Sequence, residues 1–190
     1  ANGEDVLVWG GDEYRIARFI NFSSNDAFNY DFTERVNNSS NTSDSTAVLA
    51  VSTDTHTYAY VCSMMPIDGI KFYVSTSNTT TCAAPTIYYW NGTTWTSVGS
   101  VTDGTTSGGC TMAQTGQMTF TSTATLAKQK MINNVMGYWY KVVWDTIDDT
   151  TSVHFITLKT PVQHINDIWD GTDRLCVSCM LYNGSTYTDY

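Results

Sequence analysis

The chain predicts an all-β protein, an antiparallel β-sandwich of jelly-roll type with one short helix. Three observations carry this expectation. Thr fills 31 positions and aromatic residues make up 13% of the chain, and Thr, Tyr, Trp, Val and Ile suit the pleated, half-buried surface of a sheet. Charged residues amount to only 14%, which leaves little of the Lys-, Glu- and Ala-rich sequence from which helices are built. Strand-length segments recur about every 8–12 residues with turn signals between them, the pattern of a sandwich or barrel. At 190 residues one domain can bury a substantial core. We divide the chain into an N-terminal strand and hinge at 1–11 and a β-sandwich domain at 12–190.

Asp5 to Trp9 is a short apolar run closed by the turn Gly10-Gly11-Asp12, and Tyr14 to Ile20 follows as a second strand. Asn21 to Tyr30 and Asn37 to Ser45 are polar and turn-rich, the latter a loop. Thr46 to Ser52, Thr57 to Ser63 and Gly69 to Ser75 are strands, with Ile67-Asp68-Gly69 as a turn and Ser75 to Thr81 as a loop. Thr86 to Trp90 and Thr93 to Val98 form a hairpin around Asn91-Gly92, a pair that supplies the positive φ angles of a type I′ turn. Val101 to Gly109 reads as a loop and Gly116 to Thr121 as a strand. Leu126 to Val135 is the expected helix, although it lacks a strong cap. Gly137 to Trp144, Ser152 to Lys159 and Arg174 to Tyr182 complete the strands.

Nine basic against eighteen acidic residues give a net charge of −9. Such a surface repels polyanions, so no nucleic-acid partner is expected. No run of eighteen apolar residues occurs, and no membrane-spanning helix is expected. A start at Ala1 without Met fits a processed chain or an excised repeat. Seven Asn-x-Ser/Thr sequons, at Asn21, Asn37, Asn38, Asn41, Asn78, Asn91 and Asn183, stand among 13 Asn and 48 Ser plus Thr. Chance supplies roughly three, so covalent glycans at turns are expected, with the alternative that these residues are simply what turns are made of. Together with the cysteines, the sequons place the chain outside the cell, as a surface, secreted-fibre or virion protein.

The five cysteines are Cys62, Cys82, Cys110, Cys176 and Cys179. Cys82 and Cys110 bracket a hairpin and a Gly-rich loop, and a bridge between them closes that segment at its base. Cys62 then pairs with Cys176 or Cys179. Those two lie three apart on an expected strand, on opposite faces and roughly 10 Å from each other, too far for a mutual bridge. The competing expectation is five buried thiols in a reducing compartment.

The segment Ile87-Tyr88-Tyr89-Trp90-Asn91-Gly92-Thr93-Thr94-Trp95-Thr96-Ser97-Val98 runs on to Asp103-Gly104-Thr105, then to Gly116–Phe120 and to Tyr138-Trp139-Tyr140. It resembles β-sandwich modules of phage tail and fibre proteins and of bacterial or environmental extracellular fibres. There an aromatic-Trp-Asn/Asp-Gly hairpin with a second Trp precedes an Asp-Gly-Thr loop, a Gly-x-hydrophobic strand and a Tyr-Trp strand. The likeness covers Pro85 to Trp144, about a third of the chain. It implies a jelly-roll sandwich with a structural or adhesive role.

Trp90, Trp95, Trp139 and Trp144 either pack the core or form a sugar-stacking platform. No catalytic residues are expected. His56, His154 and His164 are scattered, no Gly-x-Ser-x-Gly elbow occurs, and the carboxylate pairs Asp148-Asp149 and Asp167/Asp170 read as solvated turns. No cofactor and no resident metal are expected; the oxygen ligands of Asp103-Gly104-Thr105 and Asp170-Gly171-Thr172-Asp173 suit calcium, yet neither loop has an EF-hand pattern.

The N-terminal strand Val6-Leu7-Val8-Trp9 sits on a tether between Ala1-Asn2-Gly3 and Gly10-Gly11. It either pairs within its own domain or adds to the sheet edge of a neighbouring copy. A head-to-tail contact of that kind propagates into a homopolymer. The expected function is therefore a non-enzymatic structural subunit of an extracellular glycosylated filament. The alternative is a carbohydrate- or receptor-binding module of a phage fibre or secreted protein.

Overall fold

Burial alternates along the long strands, and that alternation builds two facing sheets. The computed structural model describes residues 14–16, 18–22, 28–37, 47–48, 57–166, 177–182 and 187–189, with side chains described for 16, 31–37 and 58–161. In chain order the elements are Tyr14–Arg15 (β1), Arg18–Phe22 (β2), Phe28–Asp31 (β3), Thr33–Asn37 (α1), Ala47–Val48 (β4), Thr57–Ser63 (β5), Gly69–Thr76 (β6), Thr86–Trp90 (β7) and Trp95–Ser97 (β8). Thr102–Asp103 (β9), Gly116–Thr119 (β10), Lys130–Ile132 (β11), Val135–Trp144 (β12), Ser152–Lys159 (β13), Val162–Asn166 (β14), Val177–Tyr182 (β15) and Tyr187–Asp189 (β16) follow. The N-terminal strand expected at Val6–Trp9 lies outside the described residues.

One sheet runs β1-β13-β6-β10-β9 with β4 also on β13, and a second runs β3-β2-β5-β12-β7-β8 with β11 also on β12. A third, β14-β15-β16, is antiparallel like the others. Among the described residues the fold is the expected all-β antiparallel sandwich with a single short helix. The core lies between the first two sheets. Ile70 and Phe72 of β6, Met118 of β10, and Ile156 and Leu158 of β13 meet Ala59 and Val61 of β5, Ile87 of β7, and Tyr140, Val142 and Trp144 of β12. Phe72 and Trp144 touch edge to face across the sandwich at 5.9 Å. Each such buried side chain contributes about 1.5–3 kcal/mol. The Tyr140 hydroxyl accepts from Ile67 N at 3.0 Å and lies 2.5 Å from Thr123 Oγ1, which itself donates to Ile67 O at 3.1 Å. Burial pushes the Tyr140 phenol up to about 12.

Three local expectations are corrected. Tyr14 to Ile20 is not one strand: β1 pairs with β13 in one sheet and β2 with β5 in the other. Between them Ile16 turns into the core, only 4% exposed. Leu126 to Val135 is not a helix. A turn at Thr123–Ala127 leads into β11, and Asn133 and Asn134, at φ 49° and 61°, close a two-residue hairpin onto β12. Paired Asn residues tolerate the left-handed region that a type I′ turn requires. The helix among the described residues is instead α1, where Asp31 Oδ1 accepts from Thr33 N at 3.0 Å and Val36 is fully buried. Asn91-Gly92 is not a type I′ pair either, since only Gly92 is left-handed, at φ +107°. Trp90 pairs with Trp95 across a four-residue loop, which Asn91 Oδ1 organises by accepting from Thr93 N, Thr93 Oγ1 and Thr94 N at 2.9–3.0 Å.

The Asp-Gly-Thr loop and the glycine that starts β10 are one packing unit. Asp103 Oδ1 accepts from Thr105 N and Oγ1 at 2.8 and 2.6 Å, and Oδ2 from Thr106 and Thr111 hydroxyls at 2.9 and 2.6 Å. A Cβ on Gly104 would stand 2.6 Å from Gln117 O, and one on Gly116 would stand 2.1 Å from Gly104 O. The two backbones can approach only as glycines. Gly116→Ala is therefore expected to destabilise the fold by about 1–3 kcal/mol, read as a lower denaturant midpoint. An unchanged midpoint would refute this contact.

A second hydroxyl-rich unit joins two loops. Asp148 Oδ2 accepts from Thr79 N and Oγ1, both at 2.6 Å, and Oδ1 accepts from Thr80 Oγ1. These bonds pull the Asp148 carboxyl down from its ordinary 3.8 to about 2. A folded value below the unfolded one means that the charged clamp stabilises the fold above the ordinary pKa. That stability is lost as pH falls through about 2. In thermal melts followed from neutral pH into acid, the wild type should lose stability over this window. Asp148→Asn should start lower at neutral pH and lack the step, and superimposable pH profiles would show that the clamp does not form.

Candidate functional site

Because alternate residues of β5, β7 and β12 are claimed by the core, the intervening ones face outward together. Register places Tyr60 and Tyr88 on either side of Lys141, and Tyr58 and Thr86 on either side of Val143. Trp139 lies beside Cys62, and Trp90 pairs with Trp95 of β8. Trp139 is 1% exposed and donates Nε1–H to Val135 O at 3.2 Å. It clusters with Tyr60 and Cys62, against which Trp95, Tyr58, Ile132 and Val135 also pack. Trp95 meets Tyr60 at 5.5 Å and Trp90 at 5.6 Å, both edge to face.

In front of Trp95 the sheet leaves an open groove of about 280 Å³, lined by Tyr58, Thr86, Tyr88, Trp95, Lys141, Val143 and Asp145. Lys141 Nζ sits 4.3 Å from the Tyr58 ring centre and 5.7 Å from that of Tyr60. Lys130 Nζ lies 3.5 Å over Trp90. The groove thus offers rigid aromatic faces, an ammonium, a carboxylate and a hydroxyl. Among the described residues no three His, Cys, Asp or Glu side chains come together to hold a metal. The four tryptophans are sorted by this geometry: Trp144 faces the core, and Trp90, Trp95 and Trp139 face outward. Sequence reasoning did not single out Tyr58, Tyr88, Lys141 or Asp145 as site residues. The period-two spacing of Thr86, Tyr88 and Trp90, and of Tyr58 and Tyr60, was the available signal.

The sequons have different settings. Asn78 is 2% exposed, and its Nδ2 donates to Thr80 O and Thr111 O, both at 2.9 Å, while Oδ1 accepts from Thr80 N and Asp148 N. Both amide hydrogens are used inside the fold, so Asn78 is a structural strut with no room for a sugar. Asn37 ends α1 and donates Nδ2–H to Ile16 O at 3.3 Å. Asn21 occupies a β2 position in register with core residue Ala59. Asn91 is half-exposed at its hairpin tip and donates to Thr96 Oγ1 at 2.9 Å. Asn38, Asn41 and Asn183 lie outside the described residues.

Cys82 and Cys110 lie directly opposite each other in a parallel bridge, as their expected pairing requires, yet both are thiols. Cys110 Sγ donates to Thr79 O at 3.4 Å, and Cys82 Sγ accepts from Thr146 N at 3.4 Å. Cys62 is also a thiol, fully buried where a Cβ on Gly137 would stand 2.4 Å from its sulfur. Among the described residues the structure shows no disulfide at these three positions. Cys179 takes a register position opposite His164, and Cys176 lies outside the described residues. Val6, Leu7, Val8 and Trp9, on which the filament expectation rests, do so too. No helix among the described residues is long and apolar enough to cross a membrane.

No protein-family model matches the chain, and no curated protein matches it. Among solved structures, a chain described as "CpGH89CBM32-6 produced by Clostridium perfringens" is similar with a TM-score of 0.40 and 10% identity, over 80% of this chain and 96% of that one. A likeness at that level carries no argument about function. The resemblance of Pro85–Trp144 to fibre modules stays a resemblance of sequence pattern, and of what it implied the structure shows the β-sandwich.

Proposed function

We propose that this chain is a non-catalytic, extracellular β-sandwich that binds carbohydrate in the groove of Tyr58, Tyr88 and Trp95. The carrying observation is the combination of those rings with Lys141, Asp145 and Thr86 in one open groove. A sugar ring presents apolar C–H faces, which stack on Trp and Tyr at low entropic cost. Its edge carries hydroxyls that both donate and accept. An ammonium only donates and a carboxylate only accepts, so Lys141 beside Asp145 can serve both halves of a hydroxyl. A secreted setting agrees with the sequon excess, for which half-exposed Asn91 is the described position best suited to carry a glycan.

Oxidation of Cys82 and Cys110 to a disulfide by thiol–disulfide exchange belongs to the same proposal, with a disulfide oxidant of the secretory route taking the two electrons and two protons. Their backbones are already opposed, and closing a loop of about 28 residues contributes roughly 3–4 kcal/mol in the chain-entropy model. Peptide mapping of secreted material without reduction should recover the Cys82–Cys110 pair. Recovery of both as alkylated thiols would remove the bridge and weaken the compartment assignment.

Binding itself is tested on a glycan array, followed by titration of the best ligand. Tyr88→Ala and Trp95→Ala should each weaken binding roughly tenfold or more, as for an anchor residue. Met64→Ala, an exposed change away from the groove lining, should not. Near-ultraviolet or far-ultraviolet circular dichroism melts check that each variant is folded. Unchanged affinity in folded Tyr88→Ala would end the reading.

A further inference from the structure

We infer that the ligand of this groove is an anionic saccharide, one whose ring bears a carboxylate or a sulfate. The inference rests on the carbohydrate reading above and assigns its chemical class. The protein carries a net charge of −9, with only nine Lys and Arg in 190 residues. Three of the nine border this one aromatic face. Lys141 stands in the groove, Lys130 lies over Trp90, and the Lys128 chain packs 3.5 Å from where a Gly92 Cβ would be, at the hairpin tip. Lys128 is held there through its backbone, whose N–H donates to Trp90 O at 2.8 Å. Against these, a single acid, Asp145, lines the groove.

The three lysines are placed by the fold and not scattered. The turn after Thr123 and the Asn133-Asn134 hairpin bring Lys128 and Lys130 onto the end of β7, while strand alternation turns Lys141 outward. In an acidic protein this is a local reversal of sign, and it sits where the aromatic rings are. An anion in the groove gains attraction from Lys141 and from Lys130 over the neighbouring Trp90, while the net charge of −9 disfavours it elsewhere. A neutral sugar would gain no net charge attraction from Lys128 and Lys130.

The test compares three oligosaccharides of equal length by calorimetry: one neutral, one built of uronic acids and one sulfated. Each is titrated at low and at high salt, since screening shortens from about 10 Å at 0.1 M to about 3 Å at 1 M. An anionic oligomer should bind roughly tenfold tighter than the neutral one at low salt and lose that advantage at high salt. Which of the two anions binds identifies carboxylate or sulfate as the recognised group. The Lys128→Gln/Lys130→Gln double variant should weaken anionic binding roughly two- to fivefold and leave neutral binding unchanged. Salt-independent binding with the neutral oligomer equal or better overturns the anionic assignment while sparing the carbohydrate reading. Binding of none of the three, nor of any array glycan, overturns both.

Discussion

Strand alternation about β12 is the constraint on which the rest of the structure depends. β12 pairs with β5 on one side and with β7 and β11 on the other, so its register fixes theirs. Its inward residues Tyr140, Val142 and Trp144 are committed to the core. A slip by one residue would exchange them for Trp139, Lys141 and Val143, burying an ammonium and exposing Trp144. One steric feature helps to exclude such a slip. Cys62 Sγ lies where any side chain at Gly137 would have to be, so only a glycine can stand at that place beside β5. The outward face is therefore set by the inward one, and the groove follows from the packing of the core.

Two loop clusters are tied by threonine hydroxyls, which gives the composition of the chain a physical meaning. Asp103 gathers three threonines and Asp148 gathers two, each carboxylate accepting every bond it makes. Charge-assisted bonds of this kind are about twice as strong as neutral ones. They hold loops that have few apolar side chains of their own. The Asn78-Thr79-Thr80 triplet belongs to this scheme. Its asparagine bridges two loops and its threonines clamp Asp148. Part of the sequon excess is thus loop architecture, because the residues that make a good glycan acceptor also make a good clamp.

Legibility in the sequence followed the range of the forces involved. β5, β7 and β13 fall on the residues read from alternation and turn chemistry, since period two is a local signal. Asn133-Asn134 was missed because the flanking segment, Leu126 to Val135, lacks strand alternation on its first half and mimics a short helix. The change of sheet at Ile16 was illegible because it depends on where β13 and β5 lie, not on the seven residues around it. For the candidate site, the tryptophans were visible as a class. Their sorting into core and surface was not, because Trp139 and Trp144 differ only in parity on one strand. Lys141 joined them only through the pairing of β12 with β5 and β7, three segments far apart in the chain.

Trp95 couples the site to the fold. It is half-buried, lines the groove, and packs against the small cluster of Tyr60, Cys62 and the outward-facing Trp139. An outward tryptophan would ordinarily sit in water. Here it is covered, so the wall of the groove is also the lid of a small second core. Such a wall loses little freedom when a ligand stacks on it, because its rotamer is already fixed by Tyr60 and Trp90. The same arrangement separates two roles among the aromatic residues. Tyr88 lines the groove and packs in neither buried cluster, so the core does not depend on its ring. Trp95 serves both, and any loss of binding on changing it mixes a missing contact with a loosened wall. Tyr88 is accordingly the residue at which recognition can be read apart from stability.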